Sequence, residues 1–287
     1  MRIKLRFNDY KLLCNRGSAK YNEDIAAISP YGAWVIDGAT GLNNKNLVSE
    51  ESDAKWYVNW WNTYLHNNIN RKESLKDIIG DGIEIITEEY YKLIGNEKIE
   101  KIDLPSAACS IIKFHEDKIE YLVLGDCTLF FKDEESLIAL KDEILCVYDK
   151  KVYDFIGQLA DSENMTFAEK KEKAMPIIVD NRLKKNTKEG YWILGFDKEV
   201  TNNCIYGFME LKTNAQIMLT SDGFSCAYDR YEIISEEEII QLAKDEGIDY
   251  IYKKIRNLEK EDEMTNKFPR FKIHDDSSCV YLDIYKN

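Results

Sequence analysis

Proline and glycine are scarce in this sequence. Its 287 residues include 4 prolines and 14 glycines, with 44% hydrophobic and 32% charged residues. This composition excludes a low-complexity or collagen-like chain and is typical of a folded globular protein. Because we find neither an internal repeat nor a seam in composition, we expect a single domain over residues 1–287.

Long hydrophobic runs are also missing. No stretch approaches the ~20 apolar residues of a membrane span, and charges interrupt the opening MRIKLRFNDYKLLCN, so it has no signal-peptide core. The seven cysteines form no C-x-x-C pair, and there are only three histidines. We therefore expect reduced thiols, a cytoplasmic location, no membrane partner and no structural zinc site.

An excess of positive charge is absent as well. The formal net charge is −13, and such a surface repels phosphate backbones, so we expect no nucleic-acid partner. Solubility is the interpretation that we favour for this charge. A preference for basic peptides and an acidic patch that gathers metal cations stay open as alternatives.

Seven segments rich in β-branched and aromatic residues predict strands. They cover residues 32–36, 107–114, 118–124, 129–132, 191–194, 215–220 and 279–285. Residues 115–117 and residues 125–128 are predicted to close two hairpins between consecutive strands.

Apolar residues at three- and four-residue spacing predict two long helices. The first helix face contains Ala54, Val58, Trp61 and Leu65, and the second contains Leu75, Ile79, Ile83, Ile86, Tyr90 and Leu93. Ser235 and Glu238 form a capping box that predicts a third helix ending near Gly247, and a fourth is expected over about 249–258. Strands and helices therefore occur in blocks, which indicates an α+β fold with antiparallel sheets.

Three tryptophans, Trp56, Trp60 and Trp61, lie close together in the first helix. They could form a ligand box, but packing against a sheet is the interpretation that we favour.

Four aspartates stand at the ends of predicted apolar strands: Asp37, Asp126, Asp222 and Asp275. A carboxylate at a strand end can project into a shared cleft, and several of them cannot stay ionised together without a cation. Magnesium and manganese prefer such oxygen ligands, so this pattern favours them over zinc. Taken alone, each Asp-Gly pair is more typical of a turn.

Taken in order, these segments resemble the type 2C, metal-dependent (PPM) family of protein serine/threonine phosphatases. The resemblance covers nearly the whole chain, and residues 133–213 depart from it most. The matching segments are Asn22-Glu23-Asp24, Val35-Ile36-Asp37-Gly38 with Gly41, Pro105-Ser106-Ala107, Gly125-Asp126, Thr220-Ser221-Asp222-Gly223 and Asp275-Asp276-Ser277-Ser278.

The resemblance implies a four-layer α-β-β-α sandwich, two antiparallel sheets flanked by helices, with a binuclear metal site at one end. The cofactors would be two Mg²⁺ or Mn²⁺ ions, with a place for a third. Asp37 would bridge two metals and the Gly38 carbonyl would bind one of them. Asp222 and Asp275 would hold the other, Asp126 with Asp222 a third, and Glu23 and Asp24 would hold metal-bound waters.

The implied activity is hydrolysis of phosphoserine and phosphothreonine in proteins by a hydroxide that bridges two divalent metals. No protein nucleophile is needed, the substrate is a phosphoprotein, and a monomer is expected. Cations that bridge a water lower its pKa, and they offset charge on the phosphoryl oxygens.

The match to the family is imperfect at several positions. Ala19 occupies the place of a phosphate-binding arginine, so Arg16 or Lys20 would have to bind the substrate phosphate. His274, beside Asp275, could donate a proton, although a lone exposed histidine rarely does so. Residues 169–173 are charged and are expected to be a solvated helix face or a flap that selects substrates.

Two rival functions stay open. The missing arginine favours a weak or inactive PPM-fold protein that binds phosphoproteins in a regulatory role. A metal-dependent hydrolase of small phosphate esters is the third hypothesis, although no Walker-type glycine loop supports nucleotide use.

Overall fold

The computed structural model describes residues 5–43, 45–134 and 136–286, and this part of the chain contains ten antiparallel strands. The strands are β1 (Leu5–Asn15), β2 (Asp24–Ser29), β3 (Gly32–Ala39), β4 (Ser106–Phe114), β5 (Lys118–Leu124), β6 (Thr128–Lys132), β7 (Leu137–Leu140), β8 (Ile205–Glu210), β9 (Asn214–Thr220) and β10 (Ser277–Lys286). They form two five-stranded sheets, one with the order β1-β10-β9-β6-β7 and the other with the order β2-β3-β4-β5-β8.

Seven α-helices accompany these strands within the described ranges. They are α1 (Asp53–Asn68), α2 (Leu75–Ile94), α3 (Glu143–Gln158), α4 (Phe167–Leu183), α5 (Asp222–Asp229), α6 (Glu236–Asp245) and α7 (Ile248–Glu261). Short 3₁₀ turns occupy Ser162–Asn164 and Lys198–Asn202. Among the described residues, none of the helices combines the length and the apolar character that crossing a membrane requires.

The two sheets pack face to face, and helices cover their outer faces. In β3, alternate side chains point to opposite faces, so Val35 packs between the sheets while Trp34 and Ile36 pack under α1 and α2. The outer face of the other sheet, with Phe130 and Met218, is covered by α5, α6 and α7. The predicted α-β-β-α sandwich is therefore confirmed.

The apolar faces and capping residues used to predict the helices are largely present in the structure. The α1 face predicted from periodicity is buried, and Ser52 caps α1 by accepting a 3.0 Å hydrogen bond from the Lys55 amide. The predicted capping box of Ser235 and Glu238 is present at the start of α6. In α2, Leu93 is 53% exposed and the next residue, Ile94, is buried instead, so the last position of the predicted apolar face is wrong.

One of the two predicted hairpins is wrong. Residues 115–117 do join the paired strands β4 and β5, but residues 125–128 carry the chain from β5 in one sheet to β6 in the other. Gly125 has a φ of 71°, which lets the backbone turn away from its sheet at this point. Because both strands are buried on two faces, their sequences do not indicate which sheet they join.

The predicted strand over residues 191–194 is also wrong. This segment makes only isolated bridges, from Leu194 to Ala107 and from Tyr191 to Lys185. The surrounding segment of about 133–213 contains α3, α4, β7 and β8, which the sequence did not reveal. Strands β1 and β2 and helix α5 were missed as well. For β1 the reason is that most of the strand is exposed and lacks an alternating apolar pattern.

Trp61 offers a test of the core interpretation of the tryptophans. Its side chain is fully buried, whereas Trp60 is partly exposed and stacks on Tyr64 with ring centroids 5.1 Å apart. We expect Trp61→Ala to lower the free energy of unfolding by about 3–5 kcal/mol, since it empties a large core volume. Trp60→Ala is the matched control and should cost clearly less in urea unfolding followed by circular dichroism. Equal losses would contradict the assignment.

Candidate active site

Five aspartates from both sheets converge at one end of the sandwich. Asp24 in β2 and Asp37 in β3 are directly opposite each other in the strand register. Asp126 lies in the crossover between the sheets, Asp222 follows β9 at the start of α5, and Asp275 precedes β10. The antiparallel order places all of these strand ends on the same side.

Four of them, all except Asp24, line a cavity of about 420 Å³. Its lining includes most of the residues predicted from the sequence, namely Glu23, Asp37, Gly38, Asp126, Asp222 and Asp275. Asp24 lies behind the cavity with 3% exposure. Its Oδ2 atom is buried and has no hydrogen-bond partner among the described residues.

Neither Asp-Gly pair of the site serves as a turn. Gly38 lies within β3, where its amide donates a 3.0 Å hydrogen bond to the Glu23 carbonyl and an added Cβ would lie 2.5 Å from that oxygen. Gly223 is in the first turn of α5, and a Cβ there would lie 1.9 Å from the Asp276 carbonyl oxygen. Both glycines are required by close backbone approach, which brings the neighbouring aspartates together.

Burial and mutual repulsion make the carboxylates hard to ionise together. Burial raises the pKa of Asp24 to about 8, and the charges of Asp276 and Asp275 add to the rise. Burial also raises the pKa of Asp126 to about 7, helped by Asp222. The pKa of Asp37 is raised well above its ordinary value by burial and then by Asp24. A cation at this place would favour the ionised forms.

Two basic side chains of the protein already engage the cluster. The Lys272 ammonium forms an ion pair with Asp275, and the Arg230 guanidinium lies 3.4 Å from an Asp222 oxygen. Burial disfavours the charged form of Lys272, but Asp275 and Asp37 outweigh it and its pKa is raised. Within the described ranges, no three Asp, Glu, His or Cys side chains are grouped closely enough to hold a metal ion as they stand.

The chemistry of the donor set nevertheless fits a hard divalent cation. The cluster offers carboxylate and backbone carbonyl oxygens, includes a buried carboxylate oxygen without a partner, and has raised pKa values that a positive charge would lower. Mg²⁺ and Mn²⁺ prefer oxygen ligands of this kind.

The Asp276 carboxylate connects the Gly17 and Glu23 backbones behind the candidate site, a role that the sequence analysis did not predict. Its Oδ1 accepts a 2.7 Å hydrogen bond from the Gly17 amide, and its Oδ2 accepts a 2.8 Å bond from the Glu23 amide. The Glu23 side chain in turn accepts a 2.6 Å bond from the Thr40 hydroxyl. The sequence shows two consecutive aspartates, Asp275 and Asp276, but it does not indicate which amides Asp276 would bind.

The predicted phosphate-binding residues Arg16 and Lys20 do not line the cavity. Arg16 donates a 2.8 Å hydrogen bond to the Lys20 carbonyl, and the Lys20 ammonium lies over the Tyr21 ring, 4.8 Å from its centroid. Both side chains are exposed because the loop between β1 and β2 is held by Asp276 on its other side. His274, the predicted proton donor, lies against Glu259 at 3.0 Å and is also outside the cavity lining.

Helices α3 and α4 cover the cavity, and α4 supplies positive charge that the sequence analysis did not assign to it. Lys171 and Arg182 of α4 line the cavity together with Lys272. Arg182 donates a 3.2 Å hydrogen bond to the Thr40 carbonyl. The charged segment 169–173 is thus mostly a solvated helix face, as predicted, but Lys171 within it reaches the cavity.

The role of Asp276 can be tested by unfolding. We expect Asp276→Ala to lower the free energy of unfolding by roughly 2–5 kcal/mol, since two amides lose a charged acceptor, with some relief of repulsion against Asp24. Urea unfolding in EDTA would measure it. The control Asp154→Ala removes an exposed carboxylate paired with Lys150 at 3.2 Å and should change stability by at most about 0.5 kcal/mol. A loss no larger than that of the control would contradict the role.

Comparisons with known proteins give structural matches only. No protein-family model matches the sequence, and no curated protein matches it. The serine/threonine phosphatase PstP/Ppp of Mycobacterium tuberculosis aligns over 97% of this chain and 98% of its own, with a TM-score of 0.57 and 13% identity.

Two further solved structures agree. The catalytic domain of PstP with two manganese ions covers 98% of each chain, with a TM-score of 0.54 and 14% identity. The PPM Ser-Thr phosphatase MsPP from Mycobacterium smegmatis, in complex with cacodylate, covers 96% of this chain and 98% of its own, with a TM-score of 0.52 and 12% identity. The chain therefore has the fold of the PPM-type serine/threonine phosphatases.

Proposed function

We propose that this protein is a Mg²⁺- or Mn²⁺-dependent phosphatase that hydrolyses phosphoserine and phosphothreonine in proteins. The observation that carries the proposal is that five aspartates from both sheets converge at one end of a PPM-type fold, where four of them line one cavity and Asp24 lies behind it. The fold alone does not imply an activity. The oxygen-rich donor set and its raised pKa values supply the chemical argument.

The residues that would hold two divalent cations are those that the resemblance assigns. Asp37 and the Gly38 carbonyl would hold one, and Asp37, Asp222 and Asp275 the other, with Asp126 available for a third. Glu23 and Asp24 would orient coordinated waters. When bound, the cations would supply a water of lowered pKa and offset negative charge on the phosphoryl oxygens.

The chain's own cations would bind the substrate phosphate. Lys171, Arg182 and Lys272 line the same cavity as the carboxylates. Arg182 uses one donor on the Thr40 carbonyl, and a guanidinium has five donors in a planar fork that suits phosphate. We therefore assign to Arg182 the role that the resemblance would give to an arginine before Glu23.

The rival regulatory function is favoured by a different observation. Arg16 and Lys20 lie outside the cavity, and Asp222 and Asp275 are engaged by Arg230 and Lys272. A protein of this kind would bind a phosphoprotein without turnover. Metal-dependent turnover distinguishes the two functions.

The proposed activity can be tested with para-nitrophenyl phosphate and a phosphothreonine peptide, each with EDTA, Mg²⁺ or Mn²⁺. We expect turnover only with a divalent cation, and a loss of at least about 100-fold in kcat/KM for Asp37→Asn, since a carboxylate that would hold the cations is removed. A folded protein that shows no turnover with either metal would rule out this activity for these substrates. Calorimetric metal binding by that inactive protein would then favour the regulatory function.

The role of Arg182 predicts a substrate-binding defect. We expect Arg182→Ala to raise KM for the phosphopeptide by about tenfold with a smaller change in kcat, since a charged hydrogen bond to phosphate contributes about 1.5–3 kcal/mol. Lys173→Ala is the matched control, because Lys173 is exposed on the same helix and does not line the cavity. Steady-state kinetics that give the same KM for both variants would contradict the assignment.

A further inference from the structure

A second cleft, of about 330 Å³, lies on the far side of the segment that carries Asp275. One wall is a face of α7 on which Lys253, Arg256 and Lys260 recur at three- and four-residue spacing. Arg16 and His274 line the opposite wall. No Asp or Glu is among the described residues that line this cleft.

This concentration of basic groups runs against the charge of the whole protein. The net charge is −13, and in a protein with this excess of acidic residues a cluster of cations is not expected by chance. Within the described part of the chain, Lys253 and Lys260 are exposed and form no ion pair with a carboxylate. Neighbouring like charges repel one another, and an anion between them would relieve that repulsion.

Several contacts hold the Arg256 side chain at the floor of the cleft. The Arg256 guanidinium lies over the Tyr252 ring, 4.9 Å from its centroid, and forms a 2.5 Å ion pair with Glu259. It also donates a hydrogen bond to the Asp275 carbonyl. Glu259 is 2% exposed and contacts His274 at 3.0 Å, so this carboxylate is engaged by basic groups and turned away from the opening.

The cleft and the candidate active site are separated by one segment of chain. His274 lines the cleft, the next residue, Asp275, lines the cavity, and Asp276 ties the loop bearing Arg16 and Gly17 to Glu23. An anion in the cleft would therefore lie beside the segment that carries Asp275.

We propose that this basic cleft, lined by Arg16, Lys253, Arg256, Lys260 and His274, binds a phosphate group. A phosphate or phosphomonoester carries a charge of about −1.5 to −2 near pH 7, which suits several ammonium and guanidinium groups around one small opening. The group can come from free inorganic phosphate or from a phosphorylated residue of a protein. Binding needs no turnover, so the inference is independent of the proposed activity.

The test is calorimetry on the full chain carrying Asp37→Asn in EDTA, titrated with inorganic phosphate and with a phosphothreonine peptide beside its unphosphorylated form. We expect phosphate-dependent binding that weakens as NaCl rises from about 0.05 M to about 0.5 M. Adding Lys253→Glu with Lys260→Glu should raise Kd at least about tenfold, because two attractive charges become repulsive. Both lysines are exposed, so thermal unfolding should be unchanged.

Lys254→Glu is the matched control for the charge change. Lys254 is on the same helix, lies 5.0 Å from the Tyr250 ring centroid and does not line the cleft, so its variant should keep the original Kd. Loss of peptide binding and phosphate binding together in the double variant identifies a protein-borne phosphate as a ligand, and loss of phosphate binding alone identifies the free anion. Absence of binding by both probes, an unchanged Kd in the double variant, or an equal loss in Lys254→Glu would overturn the proposal.

Discussion

Repulsion among carboxylates at one end of the sandwich is the constraint on which the rest of the site depends. Asp24 and Asp37 are held opposite each other by the ladder between β2 and β3, where like charges destabilise a strand pair. Lys272 and Arg230 offset part of this cost by engaging Asp275 and Asp222. A protein that served only as a packed scaffold would have little reason to keep this arrangement, because replacing the carboxylates with apolar groups would relieve the repulsion.

The layers around the site explain how the cluster is kept in place. The core between the sheets fixes β3 against β9 and β10, so strand ends from both sheets meet with little freedom to separate. Backbone contacts at Gly38 and Gly223 then close the remaining distance. The geometry of the candidate site is thus imposed by packing and strand register, and the loops around it only complete the lining.

Much of the fold and part of the site could be predicted from sequence, for a physical reason. Periodicity and caps are local, so α1, α2 and the start of α6 were predictable, and ordered motifs indicated the sandwich. The sequence could not predict which sheet β5 and β6 join. A strand buried on both faces has no alternation of apolar and polar residues that would indicate its sheet. The cations that line the cavity could not be predicted for a similar reason: Arg182 is far from Glu23 in sequence and reaches the cavity only through the docking of α4, whereas Arg16 is close to Glu23 in sequence but does not line the cavity.

The position of β10 has a consequence for synthesis on the ribosome. This strand pairs with β1 on one side and β9 on the other, and Asp276 just before it ties down the loop that precedes β2. Strand β1, although it is made long before β10, therefore lacks this sheet partner until residues 277–286 have been synthesised. Long-range pairing of this kind is slow and leaves strand edges open in the meantime. The carboxylate cluster includes Asp275, so it cannot be complete before the segment that precedes β10 has been made.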